Sequence, residues 1–350
     1  MSVVSRATAI AHPNIALAKY WGKRAYGHNL PAVPSLSVTL AGMATTTEVA
    51  FDASLERDEL HLGGAALPEG AEATRRVAGL LDRVRAASGR RERARVVSRN
   101  DFPTAAGLAS SASAFAALAL AASAAAGLPT APAQVSDLAR KTSVSAARSA
   151  FGGFVELRAG RPGDEALAAT PLAPEDHWPL AVVIAVTREG PKDVGSSDGM
   201  RHTAATSPYF PAWVDAAPAL FEEVRAAVLA RDFAALGAAA EASALRMHAS
   251  SIAAAPALLY WTGATVEVLA AVRRLRGEGT PAFFTIDAGP HVKVFTTPEA
   301  QGAVERALLA VPGVLRTISA VPGGGARLAP AGAIGTPSAS GGAADGSAGA

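Results

Sequence analysis

No cysteine occurs among the 350 residues. Disulfides, thiolate metal sites and a cysteine nucleophile are therefore excluded, and a reducing compartment is compatible with the chain. Charge of one sign is also scarce: 32 basic residues face 30 acidic ones, a formal net charge of +2. The high isoelectric point, about 9.1, reflects that near balance of arginine over acid and not a basic patch, so no nucleic-acid partner is implied. No stretch reaches the roughly 18 apolar residues of a membrane span, and no charged amino-terminal segment precedes a long apolar core. The expectation is a soluble cytoplasmic protein with no membrane partner. Several cofactor signatures are missing as well. No Gly-Lys-Ser/Thr loop, no GxGxxG fingerprint and no flavin, pyridoxal phosphate or zinc motif is visible.

What is present centres on residues 100–128. This stretch starts polar at Asn100-Asp101, passes Pro103 and Gly107, offers Ser110, Ser111 and Ser113, then runs small and apolar to Gly127. That order describes a loop feeding a buried helix. Backbone N–H groups at such a helix start, with the positive end of the macrodipole behind them, bind anions. Serine hydroxyls there cap the helix, touch phosphate oxygens or reach a metal ion. Residue types alone leave two readings open: an N-capped, alanine-rich core helix, or a phosphate loop.

At this length the chain holds one large or two medium domains. Near its start a short strand leads to His12-Pro13, followed by an apolar segment ending in Lys19-Tyr20-Trp21-Gly22-Lys23. Lysines flanking two aromatics form either a strand edge with solvated charges or a pocket wall that meets phosphate or carboxylate. Alternating strands follow within 33–51. Residues 72–88 make an amphipathic helix with Arg75, Arg76, Arg83 and Arg85 on its solvated face. A strand over 93–98 feeds the central loop, and a helix spans 132–141.

Ser143, Ser145 and Arg148 then crowd together ahead of Gly152-Gly153. A guanidinium fork beside hydroxyls suits an oxyanion; a capped helix with one surface arginine is the plainer account. After a buried strand over 180–187 comes a loop, 190–201, with Lys192, Ser196, Ser197, Asp198 and Met200. Helices over 216–230, 232–248 and 264–276 precede a hairpin that holds Asp287 in Asp287-Ala-Gly-Pro290. An acid there is either plain turn chemistry or a functional carboxylate. A helix over 298–309 and a strand over 315–321 close the fold. Residues 330–350 are Gly, Ala, Ser and Pro without periodicity, and read as a disordered tail.

Four motifs in order resemble the diphosphomevalonate decarboxylases of the GHMP kinase superfamily: Asn14-Ile-Ala through Arg24, Asn100 to Ser113, Ser143 to Phe154, and Phe284 to Pro290. Ser196-Ser197-Asp198-Gly199-Met200 is a fifth, looser match. The resemblance implies an α+β GHMP kinase fold. Its expected parts are an N-terminal ATP-binding domain (1–185) with the phosphate loop and a ferredoxin-like C-terminal domain (186–329), with a cleft between them. It implies ATP and magnesium as cofactors, mevalonate 5-diphosphate as substrate, and a homodimer. Asp287 would orient or deprotonate the substrate's tertiary hydroxyl, Lys19 would keep that acid ionised, and Arg148 would grip the substrate carboxylate. Tyr20, Trp21, Gly22, Lys23, Ser143, Val144, Ser145, Ala146, Ala147, Ser197 and Met200 would line the substrate pocket. Asn100, Ala106, Gly107, Leu108, Ala109, Ser110 and Ser111 would cradle ATP, with Lys192 a further phosphate contact. The hydroxyls of Ser110 and Ser111 would also meet magnesium.

The chain departs from the family pattern at Thr142 and Val144, where glycine is usual. A β-branched residue at 144 forbids a left-handed backbone and narrows the space beside a bound diphosphate. Two further readings follow. One is a related enzyme acting on mevalonate or its monophosphate; the other is a non-catalytic module that senses a phosphorylated metabolite.

Overall fold

In the computed structural model the described residues are 5–102, 110–190, 192–330 and 333–334. The first half of the chain forms β1 (Ser5–Ala11), β2 (Asn14–Ala18), β3 (Ser35–Ala41), β4 (Thr45–Asp52), β5 (Glu59–Leu62), β6 (Ala65–Ala66), α1 (Glu72–Ser88), β7 (Arg93–Asn100), α2 (Ser110–Ala125) and α3 (Pro132–Thr142). A 3₁₀ helix, Val144–Ala150, leads to β8 (Phe154–Leu157), β9 (Thr170–Ala173) and β10 (Ala181–Val186). The second half supplies α4 (Ser196–Thr206), α5 (Phe210–Ala230), α6 (Phe233–Ile252), α7 (Gly263–Gly277), β11 (Ala282–Ile286), β12 (Val292–Thr296), α8 (Gln301–Leu309), β13 (Arg316–Pro322) and β14 (Arg327–Ala329).

Two sheets organise these elements. A six-stranded sheet runs β14-β1-β4-β7-β5-β6, antiparallel except where β5 meets β7. An eight-stranded sheet runs β11-β12-β10-β13-β3-β8-β9, with β2 added on β3. Strand β13 bridges β10 and β3, so this sheet draws strands from both halves of the chain. The C-terminal β14 returns to pair with β1.

Helix α2 is apolar on every side, which is the composition of an interior helix. Its buried alanines, including Ala116, Ala117, Ala121 and Ala122, let it approach β1 and β4 closely. Ser113 is held inside by a 2.6 Å hydrogen bond with Thr45, whose hydroxyl also donates to Asn100 Oδ1. Several expectations need correction. Helix α5 begins at Phe210, six residues earlier than periodicity placed it, because Pro211 is tolerated in a first turn. Helix α4 starts at Ser196, inside the stretch read as a loop. The arginines of α1 do not all face solvent. Arg85 is buried and forms ion pairs with Asp58 (2.8 Å) and Asp82 (2.6 Å), and Arg76 lies 4.5 Å over the Phe115 ring.

Candidate active site

Strand β2 is buried at every position and Lys19 follows it directly, so the chain delivers this lysine to the interior rather than to solvent. The turn between β11 and β12 delivers Asp287 to the same point, stiffened by a 2.7 Å hydrogen bond from the Gly289 N–H to the Asp287 carbonyl. Lys19 Nζ donates to Asp287 Oδ1 at 2.6 Å, across 268 positions of sequence. Lys293 Nζ, from β12, pairs with the other carboxylate oxygen at 3.1 Å. Burial acts to raise the Asp287 carboxyl, but the two lysines outweigh it and hold the group well below the usual carboxylate range. Burial pulls Lys19 down to about 8, against the raising effect of Asp287.

Lys19 and Asp287 open onto a cavity of about 420 Å³. Arg148 reaches it from the 3₁₀ helix. Its Nε donates to Ser37 (2.8 Å) and its Nη1 to Ser35 (2.6 Å), so strand β3 sets the fork, and burial draws its pKa to about 10. Lys192 donates to Ser196 (2.7 Å) and to the Ala288 carbonyl (2.9 Å), while Lys23 donates to Ser197 at 3.2 Å. Among the described residues the buried Tyr20 hydroxyl and Asn14 Oδ1 find no partner, although both residues line the cavity. Burial pushes the Tyr20 phenol up, so it stays a donor. Buried polar atoms without partners are rare in folded proteins, and both of these belong to residues of the cavity wall.

Two hollows adjoin this cavity through shared residues. One, of about 560 Å³, is lined by Lys23, Arg75, Arg76, Lys141 and Arg201 against Glu72 and Asp198. The other, of about 250 Å³, is walled by Leu60, Leu62, Val77, Val96, Phe115 and Leu118, with Asn100, Ser110 and Ser111 at its polar rim. Ser110 and Ser111 belong to both the apolar hollow and the central cavity.

The chain matches two family models over most of its length. Residues 11–168 match the diphosphomevalonate decarboxylase-like N-terminal domain, and residues 182–319 match the mevalonate 5-diphosphate decarboxylase C-terminal domain. The diphosphomevalonate decarboxylase of Candida albicans is 36% identical over 83% of this chain and 83% of its own length. That of Saccharomyces cerevisiae is 34% identical over 85% of this chain and 79% of its own. The chain belongs to the diphosphomevalonate decarboxylase family. Among solved structures, MDDEF in complex with MVAPP, AMPPCP and magnesium superposes with a TM-score of 0.87 at 38% identity, covering 93% of this chain and 99% of that one. The mevalonate diphosphate decarboxylase of Staphylococcus aureus also gives 0.87, at 35% identity over 93% and 98%. The GHMP fold expected from the motifs is thus the fold of the family.

Of the residues singled out in the sequence, Asp287, Lys19, Arg148, Tyr20, Trp21, Lys23, Ser143, Val144, Ser145, Ser197, Met200, Ser110, Ser111 and Lys192 line the central cavity. Asn100 lines the apolar hollow beside it. Three do not reach a wall. Gly22 adopts φ +106°, and a side chain there would strike the Phe210 ring; Ala146 and Ala147 are packed wholly inside. Ala106, Gly107, Leu108 and Ala109 lie outside the described residues.

Val144 touches the cavity and also packs with Leu30, Val155 and Leu157. The described non-glycine residues with positive φ are Asn29 and Arg231, so Val144 lies in ordinary backbone. Arg76 and Glu72, from the helix read as a solvated face, also line the cavity. Lys293 was missed: in Val292-Lys-Val-Phe its spacing reads as the polar face of an alternating strand, but β12 is buried on both faces. No helix of the described residues is long and apolar enough to cross a membrane.

Proposed function

We propose that this protein carries out the ATP-dependent decarboxylation of mevalonate 5-diphosphate to isopentenyl diphosphate, giving ADP, phosphate and carbon dioxide. The observation that carries the reading is convergence. An ionised carboxylate, a buried guanidinium and the paired serines at the start of α2 share one cavity. Phosphoryl transfer asks for positioning and charge compensation more than for covalent help.

In this reading Asp287 accepts a hydrogen bond from the substrate's 3-hydroxyl and draws off its proton as the oxygen takes the terminal phosphoryl group of ATP. The C3–O bond then breaks, phosphate leaving with the electron pair. The C–C bond to the carboxylate supplies the pair for the new double bond as carbon dioxide departs. Arg148 holds that carboxylate until then, and no electron-sink cofactor is needed.

The substrate diphosphate belongs among the five cations of the larger hollow, and the nucleotide base in the apolar one. Among the described residues no cluster of three or more acidic or histidine side chains could hold a metal by itself. The hydroxyls of Ser110 and Ser111 are hard oxygen donors, a fit for magnesium already carried by phosphates. Ser110 and Ser111 would hold it where its charge would offset that of the transferring phosphoryl group. The same proposal divides the chain into two domains near residue 185, just inside the second family match, which starts at residue 182. A cytoplasmic homodimer is part of the same proposal.

Val144 on the cavity wall favours a second reading, in which the monophosphate is the substrate. The deciding experiment incubates purified protein with ATP, magnesium and, separately, mevalonate, its 5-phosphate and its 5-diphosphate. Equal yields of ADP, phosphate and carbon dioxide with the diphosphate are expected. Equal yields with the monophosphate alone would install the second reading.

A further inference from the structure

Strand β12 is buried at all five of its positions, between β10 and β11, and Lys293 is its second residue. On the same face of the strand Phe295 stacks on Phe283. An ammonium in such a setting is costly unless it is paired. Its partner is the second oxygen of Asp287 at 3.1 Å, and its Nζ also lies 3.4 Å from the His291 carbonyl. Lys293 is 0% exposed and is not among the residues lining the cavity, while Asp287, its ion-pair partner, is. Lys19, by contrast, faces the cavity directly. The carboxylate therefore has one cation beneath it, fixed by the sheet, and one beside it on the ligand's side.

We propose that Lys293 is a positioning residue for the decarboxylation. It anchors Asp287 Oδ2 so that the acid stays ionised and aligned while Lys19 turns its charge toward the reacting centre. With one lysine alone, any movement of that lysine toward substrate would release the carboxylate it holds. With two, the acid keeps its place. The proposal rests on the decarboxylase reading above.

The charged and titratable groups around the pair come from every neighbouring element. Arg148 and Lys192 approach from the cavity, the buried His248 from α6, His291 from the hairpin, and Tyr20 follows Lys19 in the chain. Burial does most to draw Lys19 down to about 8, and Lys293 is one of the like charges that add to it. Removing Lys293 thus raises the Lys19 pKa, and an activity that needs Lys19 as a cation survives to higher pH.

The test compares the full-length protein with Lys293→Met, Lys293→Gln and Lys293→Arg on mevalonate 5-diphosphate, recording kcat and KM across pH 6 to 10. In the two neutral variants kcat is expected to fall by ~10- to ~100-fold with KM nearly unchanged, since only alignment is lost. Their alkaline limb should lie at higher pH than the parent's. Lys293→Arg should keep the limb in place. A KM effect without a kcat effect, or an unmoved limb in whichever neutral variant folds, overturns the proposal. If the parent itself releases no carbon dioxide from the diphosphate, the decarboxylase reading fails first and this inference falls with it.

Discussion

Asp287 sits where burial alone would make a carboxyl harder to ionise, and the lysines around it reverse that outcome. The acid is 24% exposed and that surface faces the cavity, so its charge is available to a bound hydroxyl. Asp287→Asn keeps the shape and removes the charge. A fall in kcat of at least ~10³-fold is expected, with nucleotide and substrate binding kept to within a few-fold. Single-turnover kinetics and direct titration of both ligands check this. Near-normal turnover would remove Asp287 from the chemistry. At this scale the motif residues were legible because their types are chemically specific. Lys293 was not, because a lysine in a β-strand is ordinarily a solvent-facing one.

Helix α4 shows how an element can depend on one missing side chain. Gly199, in its first turn, lies against Tyr260, Leu258 and Trp21; a methyl there would collide with the Tyr260 hydroxyl and come within 2.9 Å of Leu258. Such an overlap forces something to shift. Because α4 also carries Ser196 and Ser197, Gly199→Ala is expected to raise the substrate KM several-fold. It should also destabilise the fold by about 1–3 kcal/mol. Steady-state kinetics and urea unfolding read the two effects. A variant with parental KM and stability would show that α4 can move without cost.

The helices and strands themselves were largely visible in the sequence, α1 and β11 most clearly, since hydrophobic period and turn residues are local signals. The start of α4 was hidden because its first turn is Ser, Ser, Asp and Gly, a composition shared with loops.

Across the whole molecule, part of the acid sensitivity comes from groups the interior keeps neutral. Burial draws His248 and His291 down to about 3, well under the ordinary histidine value near 6.5. Below that value the unfolded chain binds protons that the folded one refuses, so stability falls as pH falls from about 6.5 toward 3. Each histidine contributes a slope of about 1.4 kcal/mol per pH unit in that window. Thermal unfolding between pH 7 and 4.5 should show a steep decline, and His291→Asn should flatten it. A Tm independent of pH over that range would mean these histidines take up protons in the folded state.

The sequence by itself determined the chemistry on offer: which acids, cations and hydroxyls exist, in which motifs, and that neither thiol nor obvious cofactor chemistry competes with them. It determined most elements too, because propensity and period act over a few residues. Only the tertiary structure decided that Lys19 and Lys293, 274 positions apart by their numbers, take opposite oxygens of one carboxylate. It also decided that two arginines of α1 turn inward, and that Gly22, Ala146 and Ala147 stand behind the wall instead of on it. Charge pairing and burial are properties of neighbours in space, and the order of residues along the chain does not contain them.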